Sequence, residues 1–143
     1  MAETFSFQMP NTIEAITPVS EAITSKLEEH GASQSAIFAC SLALEELVTN
    51  IIKYGYDDDQ EHQIDIELRV GDTDFELQIT DDGHEFDPFQ APEPDINAPL
   101  EERSIGGLGL HFVRNLMDRC QYSRLDGKNI VMVAKTLSET GQG

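Results

Sequence analysis

From Ile37 to Ile52, apolar residues recur at intervals of three and four, through Leu44, Leu47, Val48 and Ile51, with Ser41 in the same stripe. Wound at about 100° per residue, that spacing makes one face of a helix and is incompatible with a strand, whose faces alternate at every second residue. Glu46, Asn50 and Lys53 fall on the other side, each within a turn of the next, with Ala39 and Ala43 beside them. Two readings of that side stay open. It is a solvated polar face, or it is a site in which a carboxylate and an amide oxygen stand four residues apart on a rigid element. In the second reading the two alanines leave room for a ligand.

Downstream the period changes to two. Ile64, Ile66, Leu68 and Val70 alternate with polar residues, as do Phe75, Leu77 and Ile79, on either side of Gly71-Asp72-Thr73. This predicts a β-hairpin with one face on the core. Phe5, Phe7 and Met9 predict an opening strand that ends at Pro10. Thr17 as N-cap, with Pro18 at the first helical position, predicts a helix with Val19, Ala22, Ile23 and Leu27 inward and Gly31 at its end. Ser33 is the expected cap of the Glu46 helix, which Gly55 stops ahead of an acidic loop at 56–62. Leu110, Val113, Leu116 and Met117 predict a third helix. Residues 122–125, the turn Asp126-Gly127 and residues 130–137 predict a closing hairpin. One domain is expected over 1–143, with its core at about 5–137, a lid at about 84–105 and a polar tail at 138–143.

The chain carries nine Lys and Arg against 27 Asp and Glu, a net charge of −18. A field of that sign repels nucleic acid and anionic membrane and favours basic partner surfaces. It repels nucleotides as well, so a phosphate site here must rest on backbone N–H groups, a divalent cation and a few local cations. The apolar runs fall short of the roughly 18 residues of a membrane span, and no basic segment precedes an apolar one at the N-terminus. A cytoplasmic protein is expected. Cys40 and Cys120, each in a helical pattern, are expected as buried free thiols and not as a disulfide.

Two glycine-bearing segments carry further chemistry. Gly106-Gly107-Leu108-Gly109 opens the third helix, where unpaired N–H groups and the helix dipole favour an anion. It lacks the Gly-Lys-Ser/Thr ending of a P-loop, and no strand leads directly into it as in a dinucleotide fingerprint. Asp81-Asp82-Gly83 follows a strand. It is either a turn or a place where Asp81 accepts a hydrogen bond from an exocyclic amine such as that of adenine. Between the two lies an acidic, proline-rich stretch (Pro92, Glu93, Pro94, Asp95, Pro99, Glu101, Glu102), placed where a lid would be.

In this order, Glu46-x-x-x-Asn50 on a helix, Asp81-x-Gly83 after a strand, a lid and Gly107-x-Gly109 opening a helix resemble the signature of the GHKL ATPase superfamily. Within it, residues 45–50, 81–88, 106–110 and the Gly127-Lys128-Asn129 hairpin are most similar to the anti-sigma-factor serine/threonine kinases of bacterial partner switches. The resemblance covers residues 5–137. It implies an α/β two-layer sandwich, with a mixed, mostly antiparallel sheet covered on one face by about three helices.

It also implies roles. Glu46 would be the general base for a serine hydroxyl, and Asn50 the ligand of Mg2+, since an amide oxygen suits a hard cation that also holds phosphates. Asp81 would bind the adenine amine of ATP, with Gly83 allowing close approach. Gly107, Leu108, Gly109 and Leu110 would enclose the triphosphate. Lys53 and Arg103 are candidates, from location and charge and not from the resemblance, for extra cations near the phosphates, with solvated surface charges as the alternative. The implied partners are a STAS-domain anti-anti-sigma substrate and a sigma factor, and relatives commonly form homodimers. Direct nucleic-acid binding is not expected. The chain departs from the pattern at Glu85, where a second glycine is often found, in its acidic lid, and in a last strand, Ile130-Val131-Met132-Val133, without the threonine many relatives place near the adenine. An ATP-gated partner-binding switch with little catalysis is the alternative. A histidine-kinase catalytic domain is a third reading, but there is no room for a dimerisation helix bearing a phospho-accepting histidine.

Overall fold

The structure, a computed structural model of the chain, describes residues 2–90 and 107–138. Strands β1 (Glu3–Pro10), β2 (Gln63–Val70), β3 (Asp74–Asp81), β4 (Arg119–Leu125) and β5 (Lys128–Thr136) form one sheet in the order β1-β2-β3-β5-β4. All four described ladders are antiparallel. Strict alternation sets the two faces: Ile64, Ile66, Leu68 and Val70 of β2 are buried, while Gln63, Asp65, Glu67 and Arg69 are exposed. Phe75, Leu77 and Ile79 of β3 and Val131 and Val133 of β5 continue the inner face. Three helices, α1 (Ile16–Glu29), α2 (Gln34–Tyr54) and α3 (Gly107–Leu116), cover it. The result is the expected two-layer α/β sandwich.

Local chemistry explains most boundaries. Gly31, at φ +78°, ends α1, with its N–H donating to the Glu28 carbonyl and that of Ala32 to the Leu27 carbonyl. This paired bonding satisfies carbonyls the helix leaves unpaired. The Ser33 hydroxyl accepts from the Ala36 N–H at 3.1 Å and caps α2, a contribution of about 1 kcal/mol. Asp126 and Gly127 both take positive φ, which matches a two-residue turn to the twist of β4 and β5.

Three expectations are corrected. Thr17 is not a cap: a 3-10 turn at Ile13–Ala15 precedes α1, Ala15 stands at its N-cap, and Thr17 and Pro18 lie inside the first turn. Ile16 is buried there, so winding back to it gains core contact, and Pro18 gives up only an N–H that the first turn leaves without an acceptor. Cys120 lies in β4, not in a helix, and is half-buried, whereas Cys40 of α2 is fully buried. Burial alone pushes the Cys40 thiol up to about 12. Finally, α2 is long and apolar enough by length and composition to cross a membrane, yet here it is the central helix, with eight side chains in the core.

Candidate functional site

A cleft of about 160 Å³ opens where the C-terminal half of α2 crosses the ends of β3 and β5. Leu47, Ile51, Ile79 and Val131 give it apolar walls, and Asn50, Asp81, His84, Glu85 and Asn129 are polar residues among its lining. Tyr54 and Phe86, each about half exposed, stand at its mouth. Apolar walls with a few convergent polar groups are the usual form of a small-molecule site.

Asp81 is the last residue of β3 and only 4% exposed. Its Oδ1 accepts from the Gly83 N–H at 2.8 Å and from Asn129 Nδ2 at 3.0 Å. Burial raises its pKa, and those two hydrogen bonds work against the rise. With both donors on one oxygen, Oδ2 is the acceptor left for a ligand. Gly83 is needed for a reason the sequence did not disclose. A Cβ there would lie 2.6 Å from the Gly55 carbonyl oxygen, because the end of α2 packs against this loop. The His84 N–H donates to that same carbonyl at 2.9 Å. The close neighbour of Gly83 is thus backbone of its own chain.

Glu46 and Asn50 share one side of α2, as expected, but that side is not free. Ala39 and Ala43 are buried, and α3 packs on α2. Gly109 of α3 is pressed so closely on Glu46 that a Cβ would overlap its carboxylate. Glu46 is half-buried. Its pKa is raised by burial, with the Glu45 charge adding and the Lys53 charge opposing. The Asn50 Nδ2 donates to the Glu46 carbonyl at 2.8 Å, which turns the amide oxygen outward. One hard oxygen suits one corner of a magnesium ion whose other ligands are phosphate and water. The described residues contain no cluster of three or more His, Cys, Asp or Glu fit to hold a metal ion.

Gly107 begins α3 and Leu108 follows it, so the helix N-terminus stands beside Glu46. The Leu110 side chain is in the core, which leaves only its backbone for a ligand. Lys53 is exposed on the last turn of α2. Arg103, Gly106 and the lid beyond Gln90 lie outside the described residues.

Asn129 is the site residue that sequence reasoning missed. It pairs with Asp81 across the β3–β5 ladder and is 4% exposed. The near-continuous apolar run from Ile130 to Val133 hid which parity faces inward. The burial of Val131 and Val133 settles it and points Asn129 into the cleft.

Three histidine–aspartate pairs gather on the α2–β2 loop, and two of them, His62–Asp82 and His84–Asp57, tie it to the loop after β3. His62 Nε2 lies 2.8 Å from Asp58, its Nδ1 3.4 Å from Asp82, and His84 Nε2 2.9 Å from Asp57. Tyr56 stacks on His62 with ring centroids 4.0 Å apart. The Asp58 hydrogen bond raises the His62 pKa above its ordinary value, and the His62 hydrogen bond lowers that of Asp58. The stabilisation from His62 is complete below its unfolded pKa and is lost as pH rises through the raised folded value. That from Asp58 is lost as pH falls through its lowered folded value. NMR titration should give a His62 pKa above about 6.5 that drops back in Asp58→Asn. An unchanged His62 titration in the variant would sink this assignment.

The family model of the histidine kinase-like ATPase domain matches residues 9–135. The serine/threonine-protein kinase BtrW of Bordetella bronchiseptica is 32% identical over 92 residues, which cover 64% of this chain and 65% of that protein. The serine-protein kinase RsbW of Listeria monocytogenes is 25% identical over 136 residues, covering 92% of this chain and 87% of its own. A crystal structure of the RsbU and RsbW domains of a Mycobacterium tuberculosis protein superposes with a TM-score of 0.65 at 20% identity. It covers 94% of this chain and 32% of that one, and the likeness is one of fold.

Proposed function

The chain belongs to the histidine kinase-like ATPase domain family, and from that premise we propose that it is an ATP-dependent protein-serine/threonine kinase of a partner switch. The observation that carries this reading is the meeting of Glu46, Asn50 and the glycine-rich start of α3 beside an apolar cleft floored by Asp81. In this reading Asp81 accepts from the adenine amine, and the first N–H groups of α3, from Gly107 to Leu110, face the phosphates. Asn50 would hold Mg2+ through its amide oxygen, and the ion would supply neutralisation of the phosphate charge. The serine Oγ attacks the γ-phosphorus, the bond to the bridging oxygen of ADP breaks, and the hydroxyl proton passes to Glu46. A half-buried carboxylate with a raised pKa suits that last task better than an ordinary surface glutamate. Lys53 and Arg103 are the cations proposed to supplement the ion near the phosphates.

The proposed substrate is a STAS-domain anti-anti-sigma protein, and the proposed target held in its absence is a sigma factor. The names of the relatives support a kinase, and a net charge of −18 suits a basic partner surface. The deciding experiment is transfer of label from radioactive ATP, with magnesium, to the STAS-domain protein encoded beside this one. Label on a serine supports the kinase. Tight ATP binding without transfer points instead to the nucleotide-gated binding switch, and no ATP binding overturns both.

A further inference from the structure

Ile13 is 47% exposed on a chain whose net charge is −18. It lines a groove of about 210 Å³ between the start of α1 and α2. Ile13 and Ile16 supply its apolar part, Thr17 and Ser20 a short polar wall, and Glu21 and Glu45 a carboxylate from each helix. The lining contains no Lys or Arg, and neither carboxylate is paired with a cation among the described residues. Two like charges lining one cavity repel, and a cation set between them relieves both. The position of the groove matters as much as its lining. From α2 it takes Ser41, Glu45 and Thr49, a stripe at every fourth residue, whereas the nucleotide-sized cleft takes Leu47, Ile51 and Tyr54 from the opposite side. At about 100° per residue, Glu46 falls between the two stripes. The proposed base thus stands on the ridge that separates the cleft from the groove.

We propose that this groove docks the protein that accepts the phosphoryl group, with an apolar side chain against Ile13 and Ile16 and a lysine or arginine between Glu21 and Glu45. This rests on the kinase reading above and goes beyond it by naming what the acceptor must present beside its serine. A base that serves two substrates needs each held on its own side. The nucleotide is held in the cleft, and an acceptor seated in the groove meets Glu46 across the ridge, so its hydroxyl is positioned before transfer. No bond forms or breaks in the groove itself. Ile13 and Ile16 offer area to bury, and the two carboxylates set orientation and reject an acidic surface. The overall charge attracts basic surfaces to the whole molecule, but only here does an unpaired acidic couple lie against exposed apolar surface next to Glu46. Glu21 is therefore a specificity-determining residue for the acceptor and takes no part in the chemistry.

The test is steady-state transfer of label from ATP to the STAS-domain protein encoded beside this chain, with kcat and the KM for that protein measured separately and ATP affinity measured by calorimetry. Glu21→Lys is expected to raise the acceptor KM roughly 10- to 100-fold, with kcat and ATP affinity within about twofold. Ile13→Ser is expected to raise the same KM about five- to tenfold. Glu28→Lys makes the same change of charge at the exposed far end of α1 and should leave KM within about twofold. Changing each Lys and Arg of the acceptor singly to Glu supplies the rescue: one such variant should lose transfer by the unchanged chain and regain it with Glu21→Lys. Equal rises in KM for Glu21→Lys and Glu28→Lys would assign the effect to the overall field and overturn the docking site. An unchanged KM in both groove variants would overturn it too. So would a weakened hold on a sigma factor with the acceptor KM untouched, which gives the groove to another partner. The kinase reading survives all three results, whereas absence of transfer by the unchanged chain overturns that reading and this inference with it. Should Glu21→Lys not fold, Glu21→Gln repeats the comparison with an expected rise of about three- to tenfold, and no rise there is equally fatal.

Discussion

Glu46→Gln is expected to slow transfer to serine by roughly 10²- to 10⁴-fold while ATP affinity stays near that of the unchanged protein. Glutamine has the size of glutamate, so the contact with Gly109 survives. The Asn50 amide bonds the Glu46 backbone carbonyl, so the proposed magnesium ligand keeps its aim. What is lost is a group that can take a proton. Burial raises the Glu46 pKa, so in the unchanged protein activity should fall on acidification from a higher pH than an ordinary glutamate, near 4.3, would give. The base must be ionised to work, and rate disappears as pH drops through the raised value. Label transfer as a function of pH, with ATP titration in parallel, checks both statements. Undiminished turnover in the variant would remove Glu46 from the chemistry.

Asp81→Asn should act on the other half of the site and weaken ATP binding on the order of 10²- to 10³-fold. The Gly83 N–H and the Asn129 amide both point at Oδ1, so an asparagine at 81 turns its oxygen toward them. Its NH2 then faces the cleft, where the adenine amine would also present hydrogens. Two donors confront each other and neither finds an acceptor, which costs more than the loss of one bond. The fold should tolerate the change, since both native bonds are retained. A melting temperature near that of the unchanged chain, with ATP affinity lost, is the expected pair of results. Unaltered ATP affinity would mean that the base does not sit on Asp81.

The architecture was legible because its periods are clean. The alternation from Ile64 to Val70 and from Phe75 to Ile79 became β2 and β3, and the stripe from Ile37 to Ile52 became the inward side of α2. Ser33, Gly31 and the Asp126-Gly127 pair did locally what their chemistry dictates. What failed depended on tertiary neighbours. Ala39 and Ala43 offered a small surface, and nothing local says whether a ligand or the protein's own core covers it; both are buried in the protein. Thr17-Pro18 is a good helix start in isolation, but burial of Ile16 begins the helix earlier. Asn129 escaped notice because its importance lies in meeting Asp81 across a ladder between strands 48 residues apart, which local pattern does not encode.

The depth of Cys40 turns α2 into a clock. A thiol pushed up to about 12 by burial, with no exposed surface, is expected to resist alkylating reagents while the helix stays seated. Each labelling event must therefore await an opening that lifts α2 off the sheet. Its rate then reports the free energy of that opening, with half-buried Cys120 marking reagent activity at the outer strand. Any nucleotide that binds only the closed form would slow the clock by its own occupancy. A chain with two thiols at different depths thus carries an internal gauge of stability and ligation, and needs no attached probe.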